Sequence, residues 1–213
     1  MAQSKAVISR RGGRGLYKTT AVALQKSGSK SKPRKLPSYL ERAEVESLIQ
    51  RAPNLKARMC MLLQWRAGLR VSEAINITPA DVRLGADTPE LLVRQGKGGK
   101  DRVVPLQAEL NQALATVLSI WPLSSNDPII GVTRQTANTW IKSALEDCYK
   151  IQAITPGKEC STHTLRHSAA RYWLLQGVPI NIVSKWLGHA NLQTTLIYLQ
   201  LISDPGGFME RVP

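Results

Sequence analysis

The sequence predicts a mainly α fold of the α+β class, a helical domain with one small antiparallel β-sheet, preceded by a basic arm. Three observations predict it. Apolar residues recur three and four apart in one segment after another, which is the period of a helix with one buried face. Two short β-rich runs, "ELLVRQ" and "DRVVPL", flank "GKGG" and read as a hairpin. The charge is concentrated at one end. With 213 residues, 43% of them apolar, the chain can bury the core of one domain.

The elements follow in order. "LERAEVESLIQRAP" and "LKARMCMLLQWRAG" are helical by period, the second stopping at Gly68. "VSEAINIT" restarts a helix, with Ser72 as its expected N-cap and Glu73 in its first turn. The hairpin comes next, and helices resume in "AELNQALATVLSIW" and "TRQTANTWIKSALEDCYKI". "THTLRHSAARYWLLQG" is a helix capped by Ser161 or Thr162. "PINIVSKWLG", opened by Pro179, and "NLQTTLIYLQL" complete the set. No internal repeat is visible.

Lys and Arg number 29 against 15 Asp and Glu, a net charge of +14 that favours a polyanionic partner, with nucleic acid as the first choice. Residues 1–36 hold Lys5, Arg10, Arg11, Arg14, Lys18, Lys26, Lys30, Lys32, Arg34 and Lys35 without one acid, so the arm supplies +10 and the remaining domain, 37–213, about +4. "RRGGRG" and "KSGSKSKPRK" are too rich in Gly, Ser and like charge to bury a core, which makes the arm a flexible DNA-binding segment or, in the plainer reading, a solubilising tail. No signal peptide or membrane-spanning run is present, and Cys60, Cys148 and Cys160 lack C-x-x-C spacing. The expected compartment is the reducing cytoplasm.

"THTLRH" sets His163 and Arg166 three apart at a helix start, where unpaired N–H groups and the positive dipole end already favour an anion. Zinc is the alternative, because His163 and His167 are four apart and His189 is the one remaining histidine. That set lacks both the Glu of H-E-x-x-H and a Cys partner, so no metal is expected. Arg166 alone would suit an ordinary helix-end salt bridge. "GKGGKD" does not fit the phosphate-loop pattern G-x-x-x-x-G-K-[ST].

Three segments in fixed order decide between these readings: "LLQWRAGLRVSEAINIT" (62–78), "VRQGKGGKDRVVPL" (93–106) and "STHTLRHSAARYWLLQGVPINIVSKWLGHANLQTTLIYLQ" (161–200). Together they resemble the catalytic domain of tyrosine recombinases, the phage-integrase and Xer-like family, over roughly residues 38–200. The resemblance implies catalytic roles for Arg70, Lys97, His163, Arg166 and His189, with Tyr198 as nucleophile and Glu73 as a supporting acid. Two guanidiniums suit a phosphodiester because each is always charged and grips two oxygens in a fork. His189 would add a hydrogen bond, Lys97 on a glycine-rich turn would protonate the leaving 5′ oxygen, and His163, oriented by Glu73, would accept the tyrosine proton.

Lys100 and Arg102 beside that turn are expected to contact DNA, as are Arg10, Arg11, Arg14, Lys32, Arg34 and Lys35 of the arm. The resemblance implies site-specific breakage and joining of duplex DNA through a 3′-phosphotyrosyl intermediate, without cofactor. It also implies four protomers on two paired sites and admits an accessory DNA-bending protein. A non-cutting DNA-binding relative and a type IB topoisomerase-like enzyme are the alternatives. Many family members carry a helical clamp domain before the catalytic one, and this chain has its arm in that place. The segment after Tyr198, with Phe208 and Met209 beyond a break at residues 204–207, is expected to dock on a neighbouring protomer.

Overall fold

The computed structural model describes residues 36–85, 87–94 and 101–202. The arm, Lys97, Lys100 and the tail after Ile202 lie outside the described residues. So do the expectations placed on Arg10, Arg11, Arg14, Lys32, Arg34, Lys35, Phe208 and Met209.

Helix α1 (Arg42–Gln50) buries Val45, Leu48 and Ile49, the face its period announced. Helix α2 (Leu55–Arg66), capped by the Asn54 side chain on the Ala57 N–H, is buried almost all round from Met59 to Arg66. A helix buried on nearly every side belongs in the middle of a core. Accordingly α2 packs on α1, on α3 (Val71–Ala74), on α4 (Ala108–Ile120), on α5 (Arg134–Lys150) and on α6 (Thr164–Leu175). Helix α7 (Ile180–Leu187) and the single turn α8 (Gln193–Leu196) close the chain over α6.

The sheet has three antiparallel strands in the order β1 (Val82–Arg83), β2 (Glu90–Val93) and β3 (Arg102–Pro105). Leu91 pairs with Val104 and Val93 with Arg102, and Leu91, Val93 and Val104 all point into the core. The expected hairpin is therefore β2–β3, extended by a strand too short to leave a periodic trace. Two caps also differ from expectation. Ser72 lies inside α3, whose N-cap is Arg70. His163, not Ser161 or Thr162, is the residue preceding the first turn of α6, and its own N–H donates to Ser161 Oγ at 3.3 Å. The last expected helix is one turn, α8, followed by a 3₁₀ turn at Leu199–Leu201. Among the described residues no helix is long and apolar enough to cross a membrane.

Two left-handed glycines shape the region between these elements. Gly68 (φ +61) turns the chain out of α2, and a Cβ there would lie 2.8 Å from Trp173 Cη2 and 2.9 Å from Leu187 Cδ2. Gly188 (φ +65) ends α7 with two closing bonds, Gly188 N–H to the Lys185 carbonyl and His189 N–H to the Ser184 carbonyl. A Cβ on Gly188 would meet Arg102 Cδ at 2.9 Å. Gly68→Ala is expected to lose roughly 2–5 kcal/mol, the left-handed penalty and the overlap together. Urea denaturation with an unchanged slope would measure it, and a loss below about 1 kcal/mol would show that Trp173 and Leu187 move aside freely.

Candidate active site

The site is built around one carboxylate. Glu73, in the first turn of α3, accepts Arg70 N–H at 2.8 Å and Arg70 Nη1 at 2.7 Å, so the residue that precedes the helix is clasped by the residue three later. Arg102 reaches the same carboxylate from β3 with both ends of its fork, Nη1 to Oε1 at 2.9 Å and Nη2 to Oε2 at 2.7 Å, while its Nε donates to the Trp186 carbonyl at 2.8 Å. Arg166, in the first turn of α6, lies 3.8 Å from Oε2. Burial alone would raise the Glu73 carboxyl, but hydrogen bonding and charge from Arg102, then Arg70, outweigh it and hold the group at about 2. Three guanidiniums around one carboxylate leave two positive charges fixed in place, ready for an anion.

Each candidate arginine is steered by backbone carbonyls. Arg166 donates Nη1 to the Gly68 carbonyl and Nη2 to the Leu187 carbonyl, both at 2.5 Å, with a side chain only 5% exposed. These bonds engage two of its five N–H groups. Burial first, then the charge of Arg70, lowers Arg166 to about 9, which keeps it a cation at neutral pH. Arg70 extends Nη2 toward the Gly188 carbonyl at 3.4 Å and is more open, with 21% of its side chain exposed.

Tyr198 sits between α8 and the 3₁₀ turn, its N–H bonded to the Thr195 carbonyl. Arg171 of α6 ties the turn down by donating Nε to the Leu201 carbonyl. The phenol is buried, and its oxygen lies 2.8 Å from His167 Nδ1. Burial raises its pKa above the ordinary phenol value, against the pull of Arg166 and Arg70. His189, just past Gly188, stacks at 6.4 Å from the Tyr198 ring, and its Nδ1 is 2.8 Å from Thr195 Oγ1. The Thr195 hydroxyl can donate to Nδ1, which leaves the imidazole proton on Nε2 as a donor. Burial and then Arg166 lower His189 to about 4, so it is neutral in ordinary buffers.

Of the expected residues, Arg70, Glu73, Arg166, His189 and Tyr198 meet in one place. His163 is exposed at the start of α6 and has no described bond to Tyr198 or Glu73. Glu73 is spent on arginines and does not orient it. Arg102 is corrected as well. Its side chain is 7% exposed and its fork is occupied by Glu73, so it braces the site from within and does not lie on a DNA-facing surface. The sequence reading of α6 missed His167 as a partner of Tyr198. The pattern H-x-x-R-H held the signal, because His167 adjoins Arg166 and lies one helical turn from His163.

Removing Arg102 tests the brace. Arg102→Met takes away the fork and leaves the buried Glu73 with the Arg70 bonds and the more distant Arg166, and is expected to cost about 3 kcal/mol, the low end of the range for breaking a buried pair. Acid sensitivity has a worked sign. His167 and His189 sit at about 4 in the fold against 6.5 in the open chain, so the unfolded state binds more protons between those values and stability falls as pH drops from 6.5 toward 4. Glu73 adds stability that is fully present above 4.5 and lost as pH falls toward about 2. Denaturation midpoints against pH should show the first loss beginning below 6.5, and a flat profile from 7 to 4 would contradict it.

A helical domain with a three-stranded sheet, an arginine–carboxylate anion site and a buried tyrosine defines the class. The chain belongs to the phage integrase family, whose model matches residues 38–203. It is 36% identical over 169 residues to the tyrosine recombinase XerA of Pyrococcus horikoshii, covering 79% of this chain and 59% of that protein. It is 34% identical over 179 residues to a tyrosine recombinase of Thermosipho africanus, again covering 79% of this chain and 59% of the relative. This chain thus spans 59% of the length of each of these two relatives. Among solved structures, the crystal structure of XerA recombinase superposes with a TM-score of 0.63 at 26% identity, over 86% of this chain and 65% of that one. XerH site-specific recombinase bound to a palindromic difH substrate shares the fold, with a TM-score of 0.64 at 23% identity over 79% of this chain and 51% of the other.

Proposed function

We propose that this chain is the catalytic domain of a site-specific tyrosine recombinase that breaks and rejoins duplex DNA. The observation that carries the reading is the convergence of Arg70, Arg166 and His189 on the surroundings of the Tyr198 hydroxyl, with two uncompensated positive charges about Glu73. A phosphodiester gains negative charge as it is attacked, and donors already fixed in position stabilise that charge without reorganisation. Arg70 and Arg166 hold the non-bridging oxygens, His189 donates a further hydrogen bond, and His163 adds a donor at the exposed start of α6. The bond between Tyr198 Oη and phosphorus forms as the bond to the 5′ oxygen breaks. Lys97 supplies that oxygen's proton, and no metal or nucleotide takes part.

Duplex DNA is the partner, gathered first by the cations of the arm through counterion release. Four protomers on two paired sites carry out exchange, with Phe208 and Met209 docking on a neighbour. XerH, a family relative by fold, has been seen in a post-cleavage complex with its substrate, which supports the cutting reading over a purely DNA-binding one. The test uses the full chain and a pool of nicked duplex oligonucleotides with a randomised core. Denaturant-resistant adducts, recovered and sequenced, are expected to carry DNA by a 3′ phosphate and to define a site. Absence of any adduct, with retained DNA binding, would favour the non-cutting relative. Relaxation of supercoiled plasmid that lacks the recovered site would favour the topoisomerase-like reading.

A further inference from the structure

We infer that His167 is a further catalytic residue, the group that holds the Tyr198 hydroxyl and receives its proton as the tyrosine attacks; this rests on the recombinase reading of the site. Geometry is the first support. A proton can pass only to an acceptor within hydrogen-bond reach, and His167 Nδ1, at 2.8 Å, is the described side-chain partner of the Tyr198 hydroxyl. His163, the acceptor expected from the family pattern, is exposed, and its ring lies 6.4 Å from that of His167 with no described contact to the phenol.

The second support is the position of the imidazole in the fold. His167 stands in the first turn of α6 directly after Arg166, so the helix that delivers the guanidinium to the phosphate also sets the ring against Tyr198. The phenol has little contact with bulk solvent, because Tyr198 is 3% exposed.

The charged and titratable groups facing His167 are His163 and Arg166 on its own helix, His189 beyond α7, and Tyr198 itself. Burial first, then His163 and Arg166, lower the resting imidazole to about 4. A neutral ring has one nitrogen free to accept, and the Nε2–H tautomer places that lone pair on Nδ1, toward the phenol. Its low basicity at rest does not oppose the transfer. Attack by the phenol oxygen gives the phosphoryl group a second negative charge, and the imidazolium forms beside that charge only as it develops, so the interaction belongs to the transition state.

The step balances. The Tyr198 proton moves to His167 Nδ1, the new bond joins Oη to phosphorus, and the displaced 5′ oxygen takes a proton from Lys97. In the reverse step the imidazolium returns its proton to the departing phenol.

Two measurements decide the matter. The first needs no DNA: nitrogen NMR of the full chain, with His167 labelled, is expected to show the Nε2–H tautomer with Nδ1 accepting. An Nδ1–H tautomer donating to Tyr198 would overturn the assignment whether or not the chain cuts DNA. The second uses the nicked duplex pool. His167→Asn keeps an acceptor oxygen near the Nδ1 position but cannot take a proton, so adduct formation should slow about 10²–10⁴-fold with DNA binding retained. Its rate should then climb with pH as Tyr198 has to ionise unaided, whereas the wild-type rate stays level across neutral pH. An Asn variant within threefold of wild type, or one slowed but with the wild-type pH profile, removes His167 from the role. If wild type forms no adduct, the recombinase reading fails, and the tautomer measurement still stands as a test of the hydrogen bond.

Discussion

Replacing Tyr198 with Phe is expected to abolish covalent capture of DNA while leaving affinity within about twofold, because the change removes one oxygen from a phenol that is already buried. The oxygen is the nucleophile in the proposed reaction, and among the described residues the nearby Thr195 Oγ1 is already bonded to His189. The loss should therefore reach the detection limit, a drop of at least about 10⁴ by comparison with removal of other enzymatic nucleophiles. The fold should tolerate the change, since the ring keeps its packing and gives up one hydrogen bond worth about 1 kcal/mol. Denaturant-resistant adducts on the nicked duplex pool provide the measure. An adduct in the Phe variant at wild-type yield would assign the chemistry to another residue.

Arg70→Lys is the second large effect. An ammonium retains the charge but loses the fork, and it cannot hold Glu73, the Gly188 carbonyl and a phosphate oxygen together. Cleavage should fall about 10²–10³-fold, the loss typical of one preorganised donor in an anion site. DNA affinity, dominated by contacts outside this residue, should fall less than tenfold. Parallel losses in both quantities would make Arg70 a binding residue. Arg70 is the better test than Arg166, because Arg166 also secures the Gly68 and Leu187 carbonyls and its replacement would disturb the fold.

The periodic parts of the molecule were legible from the chain. The spacing of Val45, Leu48 and Ile49 marked α1, and the short β-rich runs on either side of "GKGG" marked β2 and β3. The β1 strand was not legible, because a two-residue strand has no period to detect. Most of the candidate site was legible too, since Arg70, Arg166, His189 and Tyr198 stand in motifs of fixed spacing. What escaped depends on contacts between distant positions. Arg102 has the sequence context of a surface cation, but its carboxylate partner, Glu73, lies 29 residues earlier, and charge in a sequence does not reveal whether it is paired. His167 was hidden for a similar reason: its partner lies 31 residues later, and only the packing of α6 against the final turns joins them. The orienting pair expected between His163 and Glu73 failed because three arginines compete for one acid.

The carbonyls of Gly68 and Gly188 fix where two guanidiniums point, although neither residue has a side chain to contribute. Both hold backbone angles that other residues adopt only with strain, and both have a neighbour where a methyl group would sit. A comprehensive substitution map of this domain would therefore place two of its least tolerant positions at residues that perform no chemistry. A search for function by reactive side chains alone would pass them over. If the proposed recombinase activity is retuned for another sequence, these two glycines should stay fixed and the surfaces around them vary.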